Sequence, residues 1–320
     1  MGAYVLRRLG YGMGVMMGVL FLLFVLFFAV TDPDDIARKA LGEKVPPAVI
    51  EQWKSNHGYD RPLWPWQDFE ENLLFDHYRR MLTFDFGLSD ADDSPILERI
   101  RQGVGPSLSL TVPLLVLGLL VSIPLSLLVA FFRETYIDRM GVFLCVLAMS
   151  VSTLLYIIGA QFLIGKLLRW FPISGFDPDP LLQARFLAMP LLVGIVSGIG
   201  GDVRFYRTAF IEESARDFVR TARAKGASEV RIMTHHVLRN ALIPILTQVV
   251  LAIPFLFTGS LLLESFFGIP GLGGITVDAI QANDFSTLRT MVFIGSLLFV
   301  LGQIATDLSY GLVDPRVRLE

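Results

Sequence analysis

Leu9–Val30 reads Leu-Gly-Tyr-Gly-Met-Gly-Val-Met-Met-Gly-Val-Leu-Phe-Leu-Leu-Phe-Val-Leu-Phe-Phe-Ala-Val, 22 residues without a charge. At a helical rise of about 1.5 Å per residue it reaches roughly 33 Å, enough to cross a hydrocarbon core about 30 Å thick. Arg7 and Arg8 precede it, so a cleaved secretory leader is the competing reading. The apolar part of a leader is about 7–15 residues long, and the exit Ala29-Val30-Thr31-Asp32-Pro33 offers no small-x-small cleavage site. A retained first membrane span is expected.

Further charge-free runs extend from Gln102 to Phe132, Met140 to Gly165, Phe186 to Gly201, Asn240 to Leu263 and Thr290 to Thr306. The fourth span is long enough if it continues through Asp202 toward Tyr206, and the sixth if it includes Asp307 and ends near Val313. Apolar residues make up 53% of the chain and charged ones 18%, against about 25% charged in soluble proteins. An all-α integral membrane protein with six spans is expected. It divides into a first helix (1–31), an external cap (32–101), a five-helix core (102–313) and a tail (314–320). Pro113, Pro124, Pro190 and Pro254 sit in or near the spans, where neighbouring helices must satisfy the freed backbone groups.

Basic residues flanking short connectors stay on the cytoplasmic side. Arg7 and Arg8 therefore place the N-terminus inside, and six spans then place Arg133–Arg139, Arg204–Arg239 and Arg316–Arg318 inside too. The stretch from Asp32 to Arg101, with nine basic and fifteen acidic residues, falls outside. Its Trp, Phe, Tyr and Pro content predicts a small folded cap, with a helix over Glu70–Leu82. Trp53, Trp64 and Trp66 read equally as interfacial anchors.

Little points to chemistry on this chain. Cys145 is the one cysteine, so neither an internal disulfide nor a thiol metal cluster is available. His57 and His77 read as solvated or locally paired, and the adjacent His235 and His236 cannot form an i, i+4 zinc pair. No metal site is expected. Ser150 and Ser152 have no neighbouring His or carboxylate in sequence. Gly159, Gly165 and Lys166 miss the phosphate-loop spacing, and Leu167 stands where that loop needs Ser or Thr. The glycines from Gly268 to Gly274 read as a tight external turn around Gly268, Pro270, Gly271 and Gly273. Ser107, Ser109, Thr111, Ser122, Ser126, Ser150, Ser152, Thr153 and Gln161 are candidates to line a wet path, each competing with a hydrogen bond to its own helix backbone. Asp307 is expected to pair with an Arg of the cytoplasmic segment.

The cytoplasmic segment 204–239 carries the most definite pattern. Ile211, Ala215, Phe218 and Ala222 recur on one helical face and read as a docking stripe. Glu212 with Arg216, and Asp217 with Arg220, are spaced to pair. Gly226 is placed to end the helix at positive φ, and Ser228 to cap a second one running toward Leu238. A helix-turn-helix elbow is expected, with Arg223 and Lys225 beside its glycine.

Arg220-Thr221-Ala222-Arg223-Ala224-Lys225-Gly226 followed by Leu238-Arg239-Asn240-Ala241-Leu242-Ile243-Pro244 resembles the coupling motif of bacterial ATP-binding-cassette importer permeases. The form is that of the oligopeptide, dipeptide and nickel branch. Asp85-Phe86-Gly87, Glu264 with Gly268-Ile269-Pro270-Gly271-Leu272-Gly273, Asn283-Asp284-Phe285 and Asp314-Pro315-Arg316 extend the resemblance over nearly the whole chain. Arg220 replaces the Glu of the wider superfamily's Glu-Ala-Ala signature, and Arg239 stands where Pro is frequent. The third span reads Ser150-Val151-Ser152-Thr153 without the Pro that similar permeases place after a Ser.

The resemblance implies the type I importer permease fold in a bacterial inner membrane, with both termini cytoplasmic. It also implies a homologous second permease, two ATP-binding subunits that carry ATP and Mg, and an extracytoplasmic substrate-binding protein. No nucleic-acid partner and no cofactor on this chain are expected. The elbow around Asp217–Gly226 would seat on an ATPase. Peptides are the cargo the resemblance favours, with nickel or a metal chelate as the alternative. From another class, an intramembrane enzyme would act without ATPase partners.

Overall fold

A computed structural model describes residues 2–30, 32–42, 45–57, 59, 61–64 and 72–313. Side chains of residues 2–5, 40, 57 and 307–313 are outside the described set, as are Thr31, Trp66 and the tail from Asp314. The pairing expected of Asp307 therefore lies outside the described residues.

Among the described residues every regular element is a helix, apart from an isolated bridge between Leu88 and Pro95. Helix α1 (Gly2–Phe24) runs on through a π-helical turn (Val25–Ala29). The cap contributes α2 (Pro33–Leu41), α3 (Pro47–His57) and α4 (Leu73–Leu82). Each starts where the sequence forces it. Asp32 accepts from the Asp34 amide ahead of Pro33, and Asn72 accepts from the Phe75 amide. The core follows as α5 (Ile96–Phe131), α6 (Tyr136–Ser150), α7 (Thr153–Ala160, then a π-helical turn to Leu167) and α8 (Pro180–Ser214). Next come α9 (Asp217–Ala224), α10 (Glu229–Arg231, then a π-helical turn to Val237) and α11 (Leu238–Thr258). The chain closes with α12 (Leu261–Phe267), α13 (Leu272–Ala282) and α14 (Phe285–Val313).

Five helical stretches are long and apolar enough to cross a membrane: Leu6–Ala29, Ile96–Phe131, Pro180–Ser214, Glu229–Thr258 and Phe285–Thr306. They carry the first, second, fourth, fifth and sixth expected spans. The third is not one straight helix. Its two halves, Tyr136–Ser150 and Thr153–Leu167, meet at 86°. Val151 is extended, and Ser152 caps α7 by accepting from the Leu154 amide. A serine cap thus makes the break where proline is missing. A second bent pair, α12 with α13, turns through 81°.

The chain forms two compact units. The first comprises Met1–Ser107, Pro254–Ser265 and Pro270–Glu320; the second comprises Leu108–Ile253 and Phe266–Ile269. In the first, the cap core gathers Leu20 and Phe24 of α1 and Phe28 of the π-helical turn with Ile36, Ile50, Trp53, Met81, Ile96 and Phe293. Trp53 stacks on Tyr59 at 5.5 Å and 12°, so it belongs to that core and is no interfacial anchor. Trp64 packs edge-on against Phe24. His77 is not solvated: it is buried, bonds the Leu20 carbonyl at 3.2 Å and lies between Phe24 and Phe28. In the second unit, α6 and α7 pack on α8, and a separate core forms from Tyr206, Phe210, Val219, Ile232, Val237 and Ala241.

Candidate functional site

Three constructions gather the residues singled out by sequence, and the first is the elbow. Helix α8 stops at Ser214 and Ala215, Arg216 turns extended at ψ 156°, and α9 starts at Asp217. Arg216 is held there by Glu213, buried and 2.9 Å away. Glu213, not the expected Glu212, is its partner, since i, i+3 spacing suits a residue at a helix end. The break has a further consequence. Ile211, Ala215, Phe218 and Ala222 do not share one helical face, and the docking stripe is corrected accordingly. Ala222 and Val219 are buried against Phe210, Ile232 and Val237, with Ile211 and Phe218 packed at the edge. The open face of α9 is polar: Asp217, Arg220, Thr221, Arg223 and Lys225 are all exposed.

The glycine end of α9 forms a complete C-terminal cap. The Ala227 amide donates to the Ala222 carbonyl at 3.1 Å and the Gly226 amide to the Arg223 carbonyl at 3.0 Å, with Gly226 at φ +77°. This pair of bonds is the Schellman arrangement, in which a left-handed residue closes the helix. Ser228 then caps α10, accepting from the Arg231 amide. Arg223 forks onto Glu229 across the turn, Nε to Oε1 at 2.6 Å and Nη2 to Oε2 at 3.0 Å. Glu229 also raises the Arg223 guanidinium pKa. The elbow is thus fixed at both ends, with its apolar side anchored on the bundle and its cationic side open.

The second construction surrounds Glu264. Its carboxylate has no solvent exposure and accepts from Ser107 Oγ (2.9 Å) and from the amides of Ser260 (3.0 Å), Gly273 (2.7 Å) and Gly274 (3.2 Å). Ser107 also accepts from the Leu272 amide at 2.7 Å. A Cβ on Gly271 would collide with this carboxylate, and one on Gly273 with the Ser260–Leu261 backbone that the carboxylate holds. The glycines are therefore more than a tight turn: they admit the start of α13 to a buried anion, which its amide dipoles favour. Gly268, at φ +65°, ends α12 ahead of Pro270. The Gly175 amide donates to the Phe267 carbonyl at 2.7 Å.

The third joins the Asp85-Phe86-Gly87 region to Asn283-Asp284-Phe285, with partners 195 residues apart. Asp284 accepts from Ser89 Oγ, the Asp90 amide, and the amide and hydroxyl of Thr287 at 2.6–3.1 Å, while Asp90 accepts from the amide and hydroxyl of Ser286, each at 2.8 Å. Two carboxylates thereby cap α14 and tie it to the segment after Asp85-Phe86-Gly87. Burial pushes the Asp90 carboxyl upward, against the pull of Arg289 and Ser286.

The path candidates Ser122, Ser126, Ser150, Ser152 and Thr153 are engaged in local hydrogen bonds or helix starts. Ser122, Ser126 and Ser150 hydroxyls donate to the carbonyls of Gly118, Ile123 and Val146 on their own helices, and Ser122 and Ser126 are buried. Ser152 is a cap and Thr153 the first residue of α7. Gln161 donates to the Phe266 carbonyl at 2.9 Å and the Ile173 carbonyl at 3.3 Å. Gly159, Gly165 and Lys166 lie in helix, with no loop to cradle a phosphate. Among the described residues no group of three His, Cys, Asp or Glu side chains comes together. One pair escaped sequence reasoning altogether. Arg207 of α8 forks onto Asp138 of α6 at 2.7 and 2.8 Å. The partners are 69 residues apart, beyond any local spacing rule.

A family profile described as "Binding-protein-dependent transport system inner membrane component" matches residues 122–319. This chain belongs to that family. The permease is 31% identical over 330 residues, covering all of both chains, to a putative peptide transport system permease protein of Brucella abortus. It is 31% identical to a probable peptide ABC transporter permease protein of Sinorhizobium fredii, over 99% of this chain and 100% of the relative. It is also 31% identical to a glutathione transport system permease protein of Salmonella typhimurium, over 98% of each. It is a multi-pass, all-α transport subunit of the inner membrane with the type I importer permease fold, and not itself an enzyme. A substrate-binding protein and ATPase subunits are its partners.

Proposed function

We propose that this permease is one membrane half of an ATP-driven peptide importer and that α9 is its coupling lever. Named relatives are peptide and glutathione permeases, which favours a peptide cargo over nickel or a metal chelate. A homologous second permease completes the pathway, two ATP-binding subunits carry ATP and Mg, and the binding protein delivers cargo outside. Both termini and the segment 204–239 lie in the cytoplasm, and no ATPase site is carried here.

The observation that carries the reading is the elbow's two-sidedness. Val219 and Ala222 lock α9 to the helices it must move, while Arg220 and Lys225 stand open to a partner. A lever needs that rigidity, because each nucleotide state must favour one facing of the pathway to drive net transport.

Gly226 supplies the test. A β-branched residue at φ +77° costs about 1–2 kcal/mol and strains the turn, whereas Asn tolerates this region. Gly226→Val should leave insertion intact but reduce binding-protein-stimulated ATP turnover of the reconstituted importer about tenfold or more, and Gly226→Asn should retain most of it. Normal stimulated turnover in Gly226→Val contradicts the assignment.

A further inference from the structure

Helix α4 has two apolar sides. Leu73, His77 and Met81 face the cap core, at i, i+4 and i+8. Phe75 and Leu82, seven residues apart, are 60% and 53% exposed. Between that open side and α1 lies a largely apolar cleft of about 540 Å³, lined by Met17, Asn72, Leu74, Phe75, Tyr78, Arg79 and Leu82. An open apolar stripe of this kind on a water-washed cap would be an association liability.

The depth of the cleft says what covers it. Helices α1 and α14 run antiparallel: Phe27 meets Phe285 at 5.8 Å, while Gly12 lies against Val300 and Ile304. At the cap end, Phe24 and Phe28 are buried in the cap core and Arg289 stacks over Phe28 at 4.3 Å. The buried polar residues Ser286, Arg289 and Thr290 share this level. The hydrocarbon therefore begins below Phe24. Yet α4 is fastened lower still, through Tyr78 Oη to the Met17 carbonyl at 2.8 Å and His77 Nε2 to the Leu20 carbonyl. Four to seven residues of helix put these anchors roughly 6–10 Å beneath Phe24, the depth at which an interfacial amphipathic helix settles.

We propose that α4 is embedded in the cap-side leaflet and that its cleft holds a phospholipid, with an acyl chain along Leu74, Phe75 and Leu82 and the phosphate on Arg79. The cleft opens at Met17 onto an exposed apolar face of the α1 span that also carries Met13 and Phe21, the kind of face a membrane span offers to acyl chains. Charge fits the same occupant. Arg80 is held by Asp76 at 2.8 Å, but Arg79 makes no ion pair among the described residues and its long stem can lay the guanidinium at headgroup level. The proposal needs only that α1 crosses the membrane, and stands apart from the coupling assignment.

Depth-dependent quenching tests it on the full chain with its copurifying subunits. The vesicles are phosphatidylethanolamine and phosphatidylglycerol bearing bromine on the upper acyl carbons. Bimane is attached to Phe75→Cys or, as a control on the exposed side of α2, to Asp35→Cys, each in a Cys145→Ser background. The Phe75 label should be quenched at least about threefold more strongly by brominated lipid than the Asp35 label, with the order reversed for aqueous iodide. Equal iodide quenching at both sites overturns the proposal, as does protection of the Phe75 label from both quenchers, which would mean that protein covers the cleft. Arg79→Gln should lower phospholipid retained per purified chain about fivefold while Arg79→Lys retains it. No loss in Arg79→Gln removes the headgroup from the account.

Discussion

Glu264 illustrates what a single residue decides. Three backbone amides and a serine hydroxyl point at its carboxylate, and none of them reaches solvent through it. Glu264→Ala strands these donors, so thermal stability in detergent should fall by about 3–5 kcal/mol, and Glu264→Gln should lose less because one oxygen still accepts. An unchanged midpoint for Glu264→Ala would contradict a structural role for this buried carboxylate. His77 gives a pH prediction. Burial, then the positive field of Arg289 from α14, lowers its pKa from 6.5 to about 3, against the Leu20 carbonyl, which raises it. The unfolded imidazole binds a proton that the folded one refuses. Its contribution is therefore fully present above pH 6.5 and is lost as pH falls toward 3, amounting to about 2 kcal/mol by pH 5. Protease sensitivity of the cap should rise over that window in the native chain and stay flat in His77→Phe; equal profiles would discount His77. Sequence revealed neither role. Glu264 and the glycines were visible together as a motif, but their hydrogen bonds depend on chain closure with Ser107, and the burial of His77 depends on α1.

At the scale of elements, the elbow was the most legible feature, because Gly226 and Ser228 are local signals that need no tertiary context. Its inner and outer faces were not legible, since the break at Ala215 and Arg216 rotates α9 relative to α8 and turns Ala222 inward. The bend at Val151 and Ser152 was hidden for a related reason: the charge-free run from Met140 to Gly165 continues across it, and only a serine cap marks it. Arg220 tests the element. Its side chain is 79% exposed and 3.7 Å from an even more open Asp217, so the pair is worth at most about 0.5 kcal/mol. Arg220→Glu should leave thermal stability unchanged while lowering ATPase retained on affinity purification about tenfold, if the cationic face makes a desolvated contact. Full retention would place the docking surface elsewhere.

Across the whole molecule, composition and run length were enough for an all-helical membrane protein, because no other solvent suits so many charge-free residues. Run length located the spans but could not distinguish a straight span from two half-length helices at 86°, as both have the same composition. The two units also interleave, with 254–265 and 270–320 joining 1–107, a topology no linear reading supplies. To carry a neighbour's nucleotide-driven motion into the bundle, the elbow must face the cytoplasm. Its sidedness can be measured directly by treating intact cells with a membrane-impermeant maleimide, the chain carrying Lys225→Cys in the Cys145→Ser background. A cytoplasmic elbow stays unlabelled until the membrane is permeabilised; labelling in intact cells would rule that placement out.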